Sequence, residues 1–300
     1  MDLRTLRAFV EVVRQGGFSA AAKVLYASQP TVTKSIQQLE DELGAPLLLR
    51  IGHTIRVTEL GNLVYQRATV ILSERDQLLT EISELKGLQR GTLRIGLPTV
   101  GSSILFAPLF TEFRKQHPNI DIVLEEHGGT HLQELVKQRQ IDLGAMLLPV
   151  DEECFDSQEV CNEPMTALLP AGHPLAGRPS LRLADLADCP FILFEKGFAL
   201  NHVIEVACHK RGFSPTVTAR SSQPDFIISL VAAGLGIALL PRLVVESRVN
   251  PGVHKVPVNE KDLRWRLAMV WRKGSDLPPS ALAWLQLTKN YAAQRKNEKG

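Results

Sequence analysis

The chain of 300 residues has room, at about 150 residues per domain, for two or three domains with sizeable cores. Its apolar fraction of 44% and charged fraction of 22% are typical of globular proteins and exclude a disordered or fibrous chain. The formal net charge is +2, which excludes an overall polycation that binds nucleic acid by bulk charge but leaves a local basic face open.

The cysteines and the apolar runs predict the compartment. The four cysteines contain no C-x-x-C pair, which predicts reduced thiols in a cytosol rather than a disulfide framework; they are Cys154, Cys161, Cys189 and Cys208. Charged residues interrupt the N-terminus where a signal peptide would be apolar. The longest uncharged apolar run, residues 226–241, is shorter than the ~20 residues of a membrane-spanning helix. We therefore expect a cytoplasmic protein with no membrane partner.

Two short helices are predicted at the N-terminus. An apolar stripe with helical spacing indicates the first helix and is formed by Leu3, Leu6, Val10 and Val13. Gly16 and Gly17 end this helix, and Ser19 is placed to cap a second helix over residues 20–26.

A third helix follows after a tight turn. Pro30 stands in its first turn, where the missing N–H has no consequence, and Gly44 ends it. The predicted buried stripe of this helix is Val32, Ile36, Leu39 and Leu43. Three short helices with a tight turn between the second and third predict a helix-turn-helix unit.

A β-hairpin and a long helix are predicted next. Residues 46–50 and 55–57 flank Gly52 and His53 as the strands of a small wing, and Thr58 can cap a helix over residues 59–88. In that helix an apolar residue recurs every seven positions, at Val64, Ile71, Leu78 and Leu85. This heptad spacing predicts a coiled-coil seam with a second chain, and the alternative is a helix that packs on its own domain.

The exposed face of the third helix has groups that can read DNA. At about 100° per residue, the side opposite the apolar stripe carries Pro30, Lys34, Gln37, Gln38 and Asp41, with Thr31 and Thr33 on its flanks. Gln pairs with adenine, Lys reaches guanine and the Thr methyl touches thymine, while free first-turn N–H groups suit a phosphate. Any surface helix can show such residues, so the prediction depends on the preceding turn and on the wing.

The predicted DNA-binding residues come from the helix and the wing. They are Ser28, Gln29, Pro30, Thr31, Thr33, Lys34, Gln37, Gln38, Arg50, His53 and Arg56.

These segments resemble a known family. The runs that carry the resemblance are residues 3–9 (LRTLRAF), 17–22 (GFSAAA), 28–33 (SQPTVT), 36–44 (IQQLEDELG), 47–50 (LLLR) and 56–61 (RVTELG). They are similar to the LysR-type transcriptional regulators, specifically over residues 1–61 and more loosely over the whole chain. Lys34 stands where the family more often has Arg, so the base read at that position is open.

The resemblance implies a multidomain protein. The expected parts are an all-α winged helix-turn-helix over residues 1–58, a dimerising linker helix over 59–90 and an α/β effector domain of periplasmic-binding-protein type over 91–300. The effector domain is expected to have two subdomains, residues 91–162 with 268–300 and residues 163–267, joined by crossing strands near 163–165 and 265–271. The implied assembly is a homodimer or homotetramer on an interrupted palindrome of double-stranded DNA, with RNA polymerase as a further candidate partner.

The sequence pattern of the second half of the chain, taken without the resemblance, predicts an α/β protein. Strands are predicted near residues 93–97, 120–124 and 141–147, with helices ending near 116 and 139, and the alternation through residue 241 predicts parallel layers. Such sheets bind ligands at the carboxyl ends of strands, beside helix N-termini. The loop of residues 98–103 suits a carboxylate or another anion, and the alternative is that Ser102 or Ser103 only caps the next helix.

A cleft between the two subdomains is the expected site for a small-molecule effector. The resemblance adds positions near residues 130, 195–198 and 221–225 to the anion-binding loop. The predicted effector residues are Thr99, Val100, Gly101, Ser102, Ser103, Thr130, Lys196, Phe198 and Gln223.

Four other functions were weighed against this reading. The sequence has no G-x-S-x-G, Walker or H-E-x-x-H motif, so no enzyme, cofactor or metal is expected, and glycines break the helix that would align His127 with His131. A transport protein would explain the second half alone. A thiol-redox regulator of the same fold, using Cys189 and Cys208, is the alternative function.

Overall fold

The computed structural model describes residues 1–51, 54–85 and 91–297. The predicted turn at Gly52 and His53 and the predicted end of the long helix at residues 86–88 lie outside the described residues. The chain divides into two compact units, of which the first comprises residues 1–88 with 138–140, and the second comprises residues 89–137 and 141–300.

The first unit has the predicted helix-turn-helix, wing and long helix. Its elements are α1 (Leu3–Gln15), α2 (Phe18–Val24), α3 (Gln29–Leu43), β1 (Leu48–Ile51), β2 (Thr54–Val57) and α4 (Glu59–Leu85). The two strands pair antiparallel with Leu48 opposite Val57.

Side-chain caps and glycines set the ends of these helices. The Asp2 carboxylate accepts from the N–H groups of Arg4 and Thr5, at 2.7 and 2.8 Å, a cap that the sequence analysis missed. The N–H of Thr5 is also the main reason why the pKa of Asp2 lies below its usual value. Gly16 and Gly44 end α1 and α3 with φ values of 66° and 71°, a conformation that favours glycine.

The prediction for the start of the second helix was wrong. Helix α2 begins at Phe18 and ends at Val24, two residues earlier at each end than predicted. Ser19 therefore lies inside the helix, and its hydroxyl donates to Gln29 Oε1 at 2.9 Å instead of capping.

The core of the first unit surrounds Phe9, which is completely buried. The apolar stripe of α3 packs into it through Val32, Ile36 and Leu39. Leu3 and Leu43, which were predicted to be buried, are 42% and 38% exposed because each is a terminal residue of its helix, beyond the reach of the neighbouring helices.

The second unit is the predicted α/β module. Its strands are β3 (Gly91–Leu97), β4 (Ile120–Glu126), β5 (Leu143–Leu147), β6 (Phe155–Pro170), β7 (Pro190–Phe194), β8 (Thr216–Ser221), β9 (Ala238–Pro241), β10 (Val253–Pro257) and β11 (Arg264–Arg272). Its helices are α5 (Ser102–Gln116), α6 (Gly129–Lys137), α7 (Ala199–Lys210), α8 (Pro224–Ala232), α9 (Arg242–Glu246) and α10 (Pro279–Asn297), with a short 3-10 turn at Leu183–Leu186.

The strands of the second unit form a mixed, rather than wholly parallel, seven-stranded sheet, in the order β10-β6-β11-β5-β3-β4 with β9 beside β6, and a separate parallel pair of β7 and β8. Strands β3, β4 and β5 are parallel, as are β7 and β8, which agrees with the prediction for those segments. Strand β6 pairs antiparallel with β9, β10 and β11. Strand β6 is 16 residues long, and β11 pairs with it in the opposite direction over most of its first ten residues.

A buried ion pair holds β6 to the helices around it. Glu163 of β6 is 1% exposed, and its carboxylate lies 3.3 Å from the Arg242 guanidinium of α9 and 3.0 Å from that of Arg295 in α10. A buried carboxylate needs such partners because desolvation of an unpaired charge is very unfavourable.

Candidate DNA-reading face and effector cleft

Helix α3 presents a continuous polar face. Its apolar stripe is buried, while Gln29, Pro30, Thr31, Lys34, Gln37 and Gln38 are exposed and Thr33 is half-buried. We call the set of residues 28–38 that is not buried the reading face.

Hydrogen bonds fix the start of the reading face. Ser28 Oγ accepts from the N–H of Thr31 at 3.3 Å and lies 2.8 Å from the Thr31 hydroxyl, which is an N-cap that holds the first turn. Gln37 Nε2 donates to Asp41 Oδ1 at 2.9 Å. Within the described residues Lys34 and Gln38 have no such partner, so their polar ends are available to another molecule.

The wing is tied to α3 by a carboxylate. Glu40 Oε1 accepts from the N–H groups of Leu47 and Leu48, at 2.7 and 3.1 Å. Arg56 of β2 is exposed and Arg50 lies in β1 opposite Ile55, while His53 is outside the described residues. The wing cation Arg56 is therefore carried on a strand whose position relative to α3 is set by the Glu40 contact.

Helix α4 leaves apolar side chains in solvent. Its first turns pack against the N-terminal core through Ala68, and Val64 lies half-buried against the same core. Further along the heptad, Ile71 and Leu78 are 39% and 55% exposed. Within the described residues, the heptad positions Ile71 and Leu78 therefore leave apolar surface exposed.

A cleft of about 510 Å³ lies in the second unit. Five segments line it: the start of α6, the end of β5 with the residues after it, the loop after β7, helix α7 and the end of β8. The lining residues are Thr130, Gln133, Leu147, Leu148, Pro149, Lys196, Gly197, Phe198, Ala199, Asn201, His202, Val203, Glu205 and Arg220.

Two of these segments lie close together at their glycines, where a β-carbon would make ordinary van der Waals contacts. A β-carbon on Gly128 would lie 3.6 Å from the carbonyl oxygen of Gly197, and one on Gly129 would lie 3.5 Å from Ala199. Gly197 has a φ of 92°, which requires glycine. The loop before α6 and the loop after β7 thus meet at the rim of the cleft.

Three of the polar side chains that line the cleft already have partners: Asn201, Glu205 and Arg220. Asn201 is buried, with its amide bonded to backbone atoms of Phe194 and Glu195. Arg220 donates to the Phe194 carbonyl at 2.9 Å and lies 3.9 Å from Glu205. Lys196 forms no ion pair or hydrogen bond with the described part of the chain, which leaves a cation available beside the apolar wall of Leu147 to Pro149.

The structure brings together only some of the predicted effector residues. Thr130, Lys196 and Phe198 line the cleft. The other six do not belong to its lining, so their role stays a prediction: Thr99, Val100, Gly101, Ser102, Ser103 and Gln223.

The reason lies in their local packing. The Ser102 hydroxyl donates to the Pro98 carbonyl, and a β-carbon on Gly101 would contact the Trp265 ring. Val100 is buried, whereas Thr99 and Ser103 are exposed. Gln223 is an exposed residue directly before α8.

Several lining residues were missed at the sequence level. Leu147 to Pro149 follow the predicted third strand, and carboxyl ends of parallel strands were the signal that could have found them. His202, Glu205 and Arg220 gave no such signal, because they belong to the middle of a helix and the end of a strand that look like ordinary surface.

The cysteines give little support to the alternative function of a thiol-redox regulator. Cys208 is completely buried, and this burial, followed by the charge of Glu205, raises the pKa of its thiol to about 12. Burial also raises the pKa of Cys189, whose sulfur lies 3.7 Å from His173 Nε2. Both thiols are thus poor nucleophiles at neutral pH.

The His127 and His131 rings are in edge-to-face contact with centroids 4.3 Å apart. Across the described ranges, however, no three His, Cys, Asp or Glu side chains are grouped for a metal ion. A search of the described helices likewise found none with the length and apolar character needed to span a bilayer.

Comparison with known proteins gives matches over both units. The family model of the bacterial regulatory helix-turn-helix protein, lysR family, matches residues 3–62, and that of the LysR substrate binding domain matches residues 86–293. The uncharacterized HTH-type transcriptional regulator YwbI of Bacillus subtilis is 36% identical over the full length of both chains. The transcriptional dual regulator GltC of the same organism is 32% identical over 94% of each chain.

A solved structure has the same overall fold. A full-length OxyR variant from Pseudomonas aeruginosa superimposes with a TM-score of 0.75 at 26% identity, covering 97% of this chain and 94% of that one. The reading face and the cleft thus belong to a protein that joins a DNA-binding winged helix-turn-helix to an α/β ligand-binding domain.

The chain belongs to the LysR family of bacterial transcriptional regulators, which confirms the resemblance predicted from the sequence. It is a DNA-binding regulator of transcription whose C-terminal half is an effector-binding domain.

Proposed function

We propose that this regulator reads an interrupted palindrome with helix α3 and changes its promoter binding when a small organic anion enters the cleft. The observation that carries the DNA part is the reading face, a row of exposed short polar groups and one cation on a helix that is capped at its start. Such a helix fits the major groove, where amide and amino side chains distinguish base pairs.

Two copies of the chain would present two such helices. The exposed Ile71 and Leu78 recur at the heptad spacing of α4, and pairing with a second copy would bury them. Two α3 helices would then enter successive major grooves about 34 Å apart. The wing residues Arg50, His53 and Arg56 would contact the phosphate backbone or the minor groove, so affinity would fall steeply with salt.

The chemistry of the cleft supports an anionic effector. Its volume of about 510 Å³ is that of a small-molecule site. Lys196 supplies a cation with no partner among the described residues, and Leu147, Leu148 and Phe198 supply apolar contact. A carboxylate on a small apolar body would satisfy both, and residues 99–103 and 223 remain proposed contacts of the ligand-bound state.

The proposed division into subdomains 91–162 with 268–300 and 163–267 explains how the effector would act. The ligand would bind between the halves and shift the equilibrium between two packings by its differential affinity for them. We further propose that the protein catalyses no reaction, acts in the cytoplasm where it meets the chromosome, contacts RNA polymerase and assembles as a dimer or tetramer.

The experiment that tests the reading face uses two substitutions. A preferred operator is first selected from fragments of the source genome with the purified protein. Gln29→Ala and Thr33→Ala should each weaken operator binding by about 1–3 kcal/mol, because each removes a base contact, while binding to random DNA changes little.

The matched control removes an exposed amide elsewhere in the same unit. Gln15→Ala, at the end of α1, should bind the operator like the unaltered protein. Operator affinity that survives both α3 substitutions would contradict the assignment of α3 as the recognition helix.

A further inference from the structure

The turn between α2 and α3 contains a residue in an unfavourable conformation. Helix α2 ends at Val24, and Tyr26 follows with a φ of 51°. The N–H of Ala27 donates to the Ala22 carbonyl at 2.9 Å. This bond and the left-handed residue before it form the Schellman motif that ends many helices.

Glycine normally occupies the left-handed position of this motif, and asparagine is the usual substitute. A tyrosine is strained there because its β-carbon crowds the backbone when φ is positive. The described glycines that end α1 and α3 follow the rule at the equivalent step. Among the residues that end α1, α2 and α3, Tyr26 is therefore the exception, and Arg139, with a φ of 56°, is the other described non-glycine residue in this conformation.

Backbone hydrogen bonds hold this turn, but no side-chain contact of Tyr26 within the described chain does so. The Tyr26 side chain is 99% exposed, and no described residue bonds to its hydroxyl or packs on its ring. The other two tyrosines behave differently: Tyr65 packs against the N-terminal core, and the Tyr291 hydroxyl accepts from Arg295 at 3.3 Å. A strained residue without internal contacts points to a contact with another molecule.

The position of Tyr26 indicates which molecule. It stands two residues before Ser28, the cap of α3, and three before Gln29, so its Cα is at most about 11 Å along the chain from that of Gln29. Lys23, the last basic residue of α2, is exposed on the same turn of chain. The start of a recognition helix is the part that lies deepest among bases, and the residues just before it face the phosphates at the groove edge.

We propose that Tyr26 is a positioning residue for DNA, whose hydroxyl donates a hydrogen bond to a phosphate oxygen at the edge of the groove that α3 enters. The inference rests on the proposed use of α3. A phosphate contact fixes the register and tilt of the helix but carries no sequence information itself. Tyrosine suits this role because its hydroxyl is a neutral donor on a rigid, two-torsion side chain.

The test uses the full-length protein, its selected operator and random DNA. Tyr26→Phe removes only the hydroxyl and should weaken binding to both DNAs by about 10- to 100-fold, the range for one hydrogen bond to a charged acceptor. The salt dependence should stay unchanged, because a neutral group releases no counterion. Lys23→Ala is the contrast, since loss of a cationic phosphate contact should lower the salt slope by about one.

A second variant separates the DNA contact from a structural role. Tyr26→Asn tolerates the left-handed conformation, so its unfolding temperature should equal or exceed that of the unaltered protein while its DNA affinity falls as for Tyr26→Phe. A stabilised protein with weakened DNA binding is an outcome that a purely structural tyrosine would not give.

Three outcomes would overturn the inference. Unchanged DNA affinity of Tyr26→Phe would contradict it while leaving the proposed function intact, provided that Gln29→Ala still loses operator binding. If Tyr26→Phe and Gln29→Ala both bound the operator like the unaltered protein, the proposed function would be contradicted as well. Normal DNA affinity with loss of transcription in a reconstituted assay with RNA polymerase would assign Tyr26 to a protein partner.

Discussion

The reading face and the effector cleft are built in opposite ways. The reading face occupies consecutive turns of one helix, held by a serine cap at its start and a glycine at its end. The cleft draws its lining from five separate segments between residues 130 and 220. The first site therefore depends on local interactions and a small core, and the second depends on the packing of a large sheet.

Both sites combine free and held polar groups, but the held groups have different partners. At the reading face, Lys34 and Gln38 have no hydrogen-bond partner among the described residues, and Gln37 bonds to another side chain of α3. In the cleft, Asn201 and Arg220 are bound to the backbone of Phe194, while Lys196 has no partner in the described part of the chain. A groove of DNA offers many similar edges, so free and adaptable groups suit it. A small ligand has a fixed shape, so a site for it benefits from groups that are already held in place.

Because the cleft depends on the packing of the sheet, a substitution in β6 should lower the stability of the second unit. Glu163→Ala should destabilise the second unit by about 2–4 kcal/mol, because the buried carboxylate is lost from two arginines, which at 39% and 19% exposure keep part of their hydration. All three tryptophans belong to the second unit, so their fluorescence in a urea titration measures its unfolding selectively.

The matched control breaks an exposed pair on the neighbouring strand. Arg266→Ala removes the contact between Arg266 and Glu159, whose side chains are 49% and 30% exposed respectively. This substitution should change stability by less than about 1 kcal/mol. Equal effects of the two substitutions would mean that the Glu163 cluster does not hold the strand.

The same contrast explains what could be predicted from the sequence. Helix α3, its cap, its final glycine and the wing are coded by residues close in sequence, so spacing alone found them. The antiparallel pairing of β6 with β11 joins residues about a hundred positions apart, such as Arg264 opposite Pro164, and no local pattern specifies it. His202 and Arg220 were missed for this reason, because only the assembled sheet brings them beside Thr130.

Local reasoning also failed where two local signals competed. Ser19 has the chemistry of a cap, but Gly17 starts α2 earlier and leaves the serine inside the helix. The functional group of Ser19 was identified correctly, and its partner was not.

A second prediction concerns the positive charge of Lys196 in the cleft rather than the packing of the sheet. A ligand is first identified by a thermal-shift screen of small carboxylates against the full-length protein. Lys196→Gln should then weaken its binding about tenfold, or ~1.4 kcal/mol, because a charge-assisted hydrogen bond is lost. Operator binding without ligand should not change, because the side chain has no partner in the described residues to lose.

The control for this charge lies away from the cleft. Lys261→Gln removes an exposed cation that does not line the cleft and should leave ligand affinity as it was. The amide analogue of the ligand should bind the unaltered protein as weakly as the carboxylate binds Lys196→Gln. A carboxylate that binds Lys196→Gln normally would move the anion site elsewhere, with the loop of residues 99–103 as the first place to look.

The smallest predicted effect concerns the junction of the wing and α4. Thr58 Oγ1 accepts from the Gly61 N–H at 2.9 Å and donates to the Pro46 carbonyl at 3.0 Å, so one hydroxyl both caps α4 and binds the start of the wing. Thr58→Ala should cost the first unit about 1 kcal/mol, the usual effect of losing an N-cap. Thr58→Ser keeps the hydroxyl and should retain most of this stability.

The measurement must exclude the second unit, whose tryptophans would otherwise dominate the signal. Hydrogen exchange at the Gly61 amide reports the cap directly, and it should accelerate in Thr58→Ala but not in Thr58→Ser, while tryptophan-detected unfolding stays the same in both. If exchange at Gly61 did not respond, the cap would contribute nothing and the start of α4 would be held by packing alone. Water at the exposed helix end can replace the hydrogen bond of the Thr58 cap. Water cannot replace the carboxylate of Glu163, because that group is buried. The loss of stability is therefore expected to be several-fold larger for Glu163→Ala than for Thr58→Ala.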